Sequence, residues 1–276
     1  MTRARRKLVT HAALGTLLGA TGCWDAHTIG ADADLDAQGA PDASATASSL
    51  VWALVHPTNA PEGPGIVLFD EATQTVIRRL PLPEPTLSVH GLAYDGDTLW
   101  VSSLGRTVGP FSDGVALFAL DAGDGHALRR FERIAAQGLA VDAGTLWYAG
   151  ARPDEAGPSL VHITYDDEQL SVVPIPETWL IEDLTLANGA LYYLANDDLD
   201  RIMRIDPRTG DAVELARGVY EAPYALGFDG RYLAVPTNDG RNRDPRIRRF
   251  DPATGALVSE GPFRVGGWVT AIAFVR

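Results

Sequence analysis

The sequence predicts an all-β chain folded as a five-bladed β-propeller and closed by its own C-terminal strand. Three observations predict it. The first is a recurring phrase: HGLAYDGDTLWVSS at 90–103, QGLAVDAGTLWYAG at 137–150, EDLTLANGALYYLA at 182–195 and YALGFDGRYLAVPT at 224–237. A final half-copy, TAIAFVR, starts at Thr270, and the copies are spaced 42 to 47 residues apart. That period is the length of one four-stranded blade. The second is a motif in each interval: LFDEATQTV, ALDAGDGHAL, TYDDEQLSV, RIDPRTGDAV and RFDPATGAL. The third is an asymmetry of the ends. The first copy, SSLVWALVHP, lacks an inner strand, and TAIAFVR lacks everything after one.

In chain order, residues 1–22 read as an export signal: a basic TRARRK, then a mostly apolar LVTHAALGTLLGA too short to span a bilayer. Cys23, the only cysteine, follows ATG. An isolated cysteine there resembles the lipidated first residue of bacterial lipoproteins, with Ala20 standing where leucine is usual. The alternative is a plain signal peptide cleaved nearby. Arg5-Arg6-Lys7 also faintly resembles a twin-arginine signal. Residues 23–49 are rich in Ala, Asp, Ser and Gly and cannot build a core. Asp32, Asp34 and Asp36 alternate as in a calcium loop, but the turn glycine and closing glutamate are absent. The segment reads as a flexible acidic tether holding the domain roughly 30 Å from its anchor.

Residues 50–276 read as the propeller. In each phrase the third and fifth positions are large and apolar (Leu92/Tyr94, Leu139/Val141, Leu184/Leu186, Leu226/Phe228, Ile272/Phe274). The second and fourth are mostly small (Gly91/Ala93, Gly138/Ala140, Ala225/Gly227, Ala271/Ala273). Period-two alternation is a strand, and the small face is expected to crowd around a central axis. Asp95-Gly96, Ala143-Gly144, Asn188-Gly189 and Asp229-Gly230 are the tight turns, and a second strand carries Trp100, Trp147 or Tyr192. Asp70, Asp121, Asp166, Asp206 and Asp251 end the third strands and bond the turn backbone. Five such turns count five blades. TAIAFVR completes the blade begun at Leu50 and leaves no open edge.

The net charge is −13. Removing Arg3, Arg5, Arg6 and Lys7 with the signal lowers 23 basic residues to 19 against 36 acidic ones, leaving about −17. Such a body does not attract nucleic acid or anionic lipid by its overall field.

Function is expected on the top face, where HPTNAPEGPG, SLGRTVGPFSDG, GARPDEAGP, ANDDLD and PTNDGRNRDPR vary in length and sequence. The residues entering the inner strands, His90, Gln137, Glu182, Tyr224 and Thr270, should ring the channel mouth, with Trp179, Tyr220 and Trp268 nearby. The ring admits three readings: an acid/base pair of Glu182 and His90, a polar collar that binds without chemistry, or aromatics that merely wedge between blades. His56 is expected near His90, but no ligand spacing supports a metal site. His126 and His162 read as structural. Arg241, Arg243, Arg246, Arg248 and Arg249 read as a solvated strand face paired with the surrounding Asp residues, or as a top-loop contact for an anionic glycan or phosphate.

G-L-A-x-D-G-x-L-W and D-P-x-T-G resemble the repeats of bacterial propeller families: streptogramin-lyase-like, NHL-type and glutamine cyclotransferase-like. The resemblance covers about residues 50–276 and implies the fold. A streptogramin lyase implies histidines and a glutamate placed for metal-assisted elimination, for which only His90 and Glu182 are candidates. The Asn-Glu-Leu-Glu pattern of the cyclotransferases is missing, and no G-x-S-x-G, zinc motif or phosphate loop occurs. The expectation is a monomeric bacterial lipoprotein of the outer membrane, facing the periplasm or the cell surface. It needs no cofactor and binds an envelope protein, glycan or small ligand. The alternative is a lyase, lactonase or cyclotransferase-like enzyme using Glu182 and His90.

Overall fold

A computed structural model describes residues 49–57, 64–83, 89–104, 115–132, 134–151, 159–175, 180–196, 200–218, 224–237 and 245–275. All lie within the compact unit Gln38–Arg276. The expected export signal, Cys23 and most of the tether lie outside the described residues, as do most of the top-face loop residues named above.

Among the described residues there are twenty strands and no helix. The chain opens with β1 (Leu50–Pro57), β2 (Gly65–Asp70) and β3 (Thr75–Leu80). The second blade is β4 (Val89–Tyr94), β5 (Thr98–Leu104), β6 (Val115–Asp121) and β7 (Ala127–Glu132). The third is β8 (Ala135–Asp142), β9 (Thr145–Ala151), β10 (Ser159–Thr164) and β11 (Gln169–Pro174). The fourth is β12 (Leu180–Ala187), β13 (Ala190–Asn196), β14 (Arg201–Ile205) and β15 (Ala212–Ala216). The fifth is β16 (Gly227–Phe228), β17 (Leu233–Thr237), β18 (Arg246–Phe250) and β19 (Leu257–Pro262). The last strand, β20 (Gly267–Phe274), returns to β1, giving the order β20-β1-β2-β3 in the first sheet. The protein is thus a five-bladed β-propeller closed as the sequence predicts. The closing strand begins three residues before the TAIAFVR phrase and pairs from Pro57↔Gly267 to Val51↔Phe274.

The turns follow from their residues. Ala143 and Gly144 (φ 40° and 88°) and Asn188 and Gly189 (φ 50° and 75°) put consecutive residues in the left-handed region. That is the geometry two-residue hairpins need to match strand twist. At the third-to-fourth-strand turns the aspartate takes backbone amides: Asp70 from Ala72, Asp121 from Gly123 and Asp124, Asp206 from Arg208, and Asp251 from Ala253 and Thr254. Asp166 is an exception to the expected pattern. In blade three Thr164 holds that position, its Oγ1 accepting the amides of Asp166 and Glu168. A threonine hydroxyl does the aspartate's work, so the residue class, not the letter, is what repeats.

The small-residue positions let the inner strands crowd together, Gly91 against Gln137 and Leu139 and Gly138 against Asp183 and Leu184. Five apolar clusters fill the ring, each shared by two consecutive blades. Leu139 packs on Ala93 and Trp100, and Leu184 on Ala140 and Trp147. Leu226 and Phe228 pack on Ala187 and Tyr192, and Ile272 and Phe274 on Ala225 and Ala234. In a blade both faces meet a neighbouring blade, so large residues of one sheet fill the space left by small residues of the sheet before it. The inner strand therefore turns an edge, not a face, toward the axis.

Hydrogen bonds add to this packing at the turns. Arg78 Nη1 donates to the Ala122 and Gly123 carbonyls of the next blade, Arg129 Nη1 to the Tyr165 carbonyl, and the Tyr192 hydroxyl to the Pro252 carbonyl. Gly255 (φ 70°) has no room for a side chain, because a Cβ there would stand 2.0 Å from the Leu215 carbonyl oxygen.

Candidate functional site

Inner strands start at the mouth face and end at the tight turns. Four of the five ring residues sit where the inner strand carries one residue too many. Between Val89 and Leu92 the ladder skips one pairing around His90 and Gly91. Gln137 falls between Ala136↔Gly150 and Gly138↔Ala149. Glu182 falls between Ile181↔Ala195 and Asp183↔Leu194, and Thr270 between Val269↔Val55 and Ala271↔Leu54. A bulge frees a residue from the ladder and re-aims its side chain, which is why bulges gather next to sites. The amide freed at Gly91 is taken by the buried Ser102 hydroxyl at 2.8 Å. Tyr224 differs: it precedes β16, which is only two residues long. Trp179 and Tyr220 lie outside the described residues.

The structure joins blades five, one and two into an arc. Tyr224 and Trp268 meet edge to face, with ring centroids 5.9 Å apart. Trp268 stands directly across from His56 in the β1–β20 ladder. His56 in turn interacts electrostatically with His90 of blade two, as the sequence suggested. Burial holds both imidazoles below their usual range, and in His90 the second histidine adds to the effect, so both are neutral at pH 7. The buried His56 Nε2 and Thr270 Oγ1 have no hydrogen-bond partner. Glu182 and Gln137 belong to blades four and three.

A residue the sequence reading passed over, Asp183, is the fully buried acid of this region. Its Oδ1 accepts the Leu184 amide and its Oδ2 the Leu226 amide, both at 2.8 Å, and the Leu139 amide also bonds it. Burial pushes the carboxyl well above the usual carboxylate range, while the three amides pull it down. One side chain thus ties the inner strands of blades three, four and five. The Leu226 amide needs it because β16 begins one residue later. Gly138 permits the approach, since a Cβ there would lie 2.4 Å from the Leu184 nitrogen. The signal was present in the sequence: Asp183 stands at the second phrase position, where the other copies have Gly91, Gly138, Ala225 and Ala271. Asp183→Asn keeps the shape but replaces one acceptor oxygen by a donor. It should cost about 1–3 kcal/mol, roughly 2–12 °C in melting midpoint. Calorimetry that finds no loss would remove Asp183 as the inter-blade tie.

The remaining candidates are structural. Arg246 and Arg248 bond the two oxygens of Glu260, at 2.6 and 2.7 Å. Arg249 bonds Asp229 and Glu71. Arg246 and Arg248 lie on a paired strand face whose acid is a glutamate and not an aspartate, Arg249 is largely buried and not solvated, and Arg241 and Arg243 lie outside the described residues. His162 stacks on Trp147 with ring centroids 3.9 Å apart and bonds Thr145 Oγ1. Asp121, Asp124 and His126 bring three ligand atoms within 4.8 Å of one another at the blade-two turn. Those carboxylates already bond the turn amides, and His126 Nδ1 lies 2.6 Å from Asp124 Oδ1.

A cavity of about 40 Å³ lies on the axis nearer the turn end. It is lined by third-to-fifth phrase positions, from Leu92 to Phe274, and by none of the five ring residues. At this size it holds no more than a few waters and no ligand of the size of a sugar.

No family model matches the chain, and no curated protein matches it. Many solved structures resemble it, among them the following three. A nidogen/laminin complex structure is 14% identical, covering 81% of this chain and 97% of that one, with a TM-score of 0.48. Hydrazine synthase of Kuenenia stuttgartiensis is 14% identical, covering 66% and 51%, with a TM-score of 0.44. TolB from Acinetobacter baumannii is 11% identical, covering 76% and 52%, with a TM-score of 0.49. The chain therefore spans about half the length of the last two. At such identities and scores the propeller assignment rests on the protein's own sheet order and closure.

Proposed function

We propose that this chain is an exported, lipid-anchored propeller that binds a partner protein, glycan or small ligand at its mouth and does not turn it over. The observation that carries the reading is the arc of Tyr224, Trp268, His56, His90 and Thr270, which combines exposed aromatic surface with buried polar atoms lacking partners. A concave polar and aromatic mouth on a rigid scaffold is the usual setting for recognition. The basic and apolar start of the chain and Cys23 support export and an anchor at the outer membrane, facing the periplasm or the cell surface. The strongly acidic chain supports neither nucleic acid nor an anionic surface as partner.

The enzymatic alternative keeps Glu182 as acid or base and His90 as its complement. What weakens it is that burial and the neighbouring His56 both hold His90 neutral, so it has no proton to give as the acid at pH 7.

Two measurements test the reading. Cys23→Ser should move the protein from the membrane to the soluble fraction, because the multiply acylated cysteine is its only firm anchor. A variant that stays membrane-bound, or a wild-type protein without lipid at Cys23, removes the anchor. The purified protein should leave lactones, glutamine-terminated peptides and glycans unchanged, with and without divalent metal. Turnover of any of them that Glu182→Gln abolishes would establish the enzyme instead.

A further inference from the structure

Trp268 decides between a wedge and a binding wall. The tryptophans that fill blade interfaces, Trp52, Trp100 and Trp147, are 2%, 2% and 8% exposed. Trp268 is 44% exposed although it sits in an inner strand. A ring used only for packing would be covered like the others. Its edge-to-face contact with Tyr224 fixes its orientation, leaving a rigid aromatic face open to solvent.

The polar atoms beside it define what could lie there. His56, its cross-strand neighbour, and Thr270, two residues along β20, each hold a buried atom without a hydrogen-bond partner. Leaving such groups unpaired is costly, so a ligand toward which the two side chains turn gains more than the contact alone. A threonine hydroxyl and a neutral imidazole each both donate and accept. A sugar hydroxyl does the same, and the C–H face of a pyranose is the flat apolar surface that lies on an indole. Other ligand chemistries fit less well. An anion would meet no cationic side chain among the described ring residues, whose two histidines are neutral. A quaternary ammonium would use the two aromatic rings but leave His56 Nε2 and Thr270 Oγ1 unpaired. A purely apolar molecule would leave the same two atoms orphaned.

We propose that the arc of blades five, one and two is a subsite for a neutral pyranose, stacked on Trp268 with its hydroxyls paired to Thr270, His56 and His90. This rests on the binding reading above and names its ligand class. The β-linked neutral oligosaccharides cellotetraose and chitotetraose are suitable probes.

The test titrates full-length protein in detergent with each oligosaccharide, following tryptophan fluorescence and heat. At least one should give a saturable response with a dissociation constant on the order of 1 mM or below. Trp268→Ala should weaken it at least about tenfold, and Thr270→Val and His56→Gln about three- to tenfold each, with melting midpoints near wild type. A response unchanged by Trp268→Ala, or no saturable response to either sugar, overturns the sugar subsite. Binding of choline or inorganic phosphate in place of the sugars overturns the ligand class while leaving the binding reading in force. Turnover in the screen described above overturns that reading itself.

Discussion

Deleting residues 270–276 should unfold the ring and drive the protein to aggregate. The deletion removes four of the closing strand's pairings with β1, including Ile272 opposite Ala53 and Phe274 opposite Val51. Ile272 and Phe274 are buried in the cluster that joins blade five to blade one. Losing each costs about 2–5 kcal/mol, against a total stability of about 5–15 kcal/mol for an ordinary domain. The deletion also bares the β1 edge, an invitation to pair with another chain. Phe274→Ala separates packing from edge exposure, since it keeps the ladder and should lower the melting midpoint by roughly 6–20 °C. Light scattering and calorimetry read both variants. A deleted protein that stayed monomeric with a wild-type midpoint would show that the ring does not depend on this strand.

Arg249→Ala should be the most damaging single change of a charge among the described residues. The guanidinium bonds Glu71 at 2.6 Å and Asp229 at 2.7 Å, which places it across the blade-five to blade-one interface. Asp229 is fully buried and Glu71 nearly so. Around them, Gln74 donates to the Glu71 and Pro262 carbonyls and accepts the Arg264 amide. Removing the one cation strands two carboxylates away from water, a loss of about 3–5 kcal/mol or roughly 6–20 °C. The mechanism makes a further demand: adding Glu71→Gln to Arg249→Ala should recover part of the loss, because one stranded charge is gone. A double variant less stable than Arg249→Ala would mean that Arg249 acts through packing and not through charge.

Much of the fold was legible because propeller blades repeat. Each copy of the phrase restates the same alternation and turn chemistry, so the period, the tight turns and the closing half-copy could all be read from local residues. The turns at Ala143-Gly144 and Asn188-Gly189 need positive φ wherever they sit, and the structure has it. Where the reading failed, the missing information was not local. Thr164 does the work expected of Asp166 because two residue types satisfy the same amides. That the small face also packs against the next blade is visible only in the assembled ring, where both faces of a sheet are covered.

For the site, residue type and place in the phrase marked His90, Gln137, Glu182, Tyr224 and Thr270 as mouth residues. Alternation alone could not show that four of them lie at bulges, because a bulge depends on how the partner strand lines up. It could not show that Asp183 binds amides from blades three, four and five, or that Arg249 joins the last blade to the first across 178 residues. It could not show that Trp268 stays open while Trp52, Trp100 and Trp147 are covered. The sequence by itself determined the repeat, the turns and the need for closure, since these follow from backbone preferences and apolar period within a few residues. The tertiary structure alone decided which side chains meet, which are covered and which polar atoms are left without partners, because those are properties of segments far apart in the chain brought together by packing.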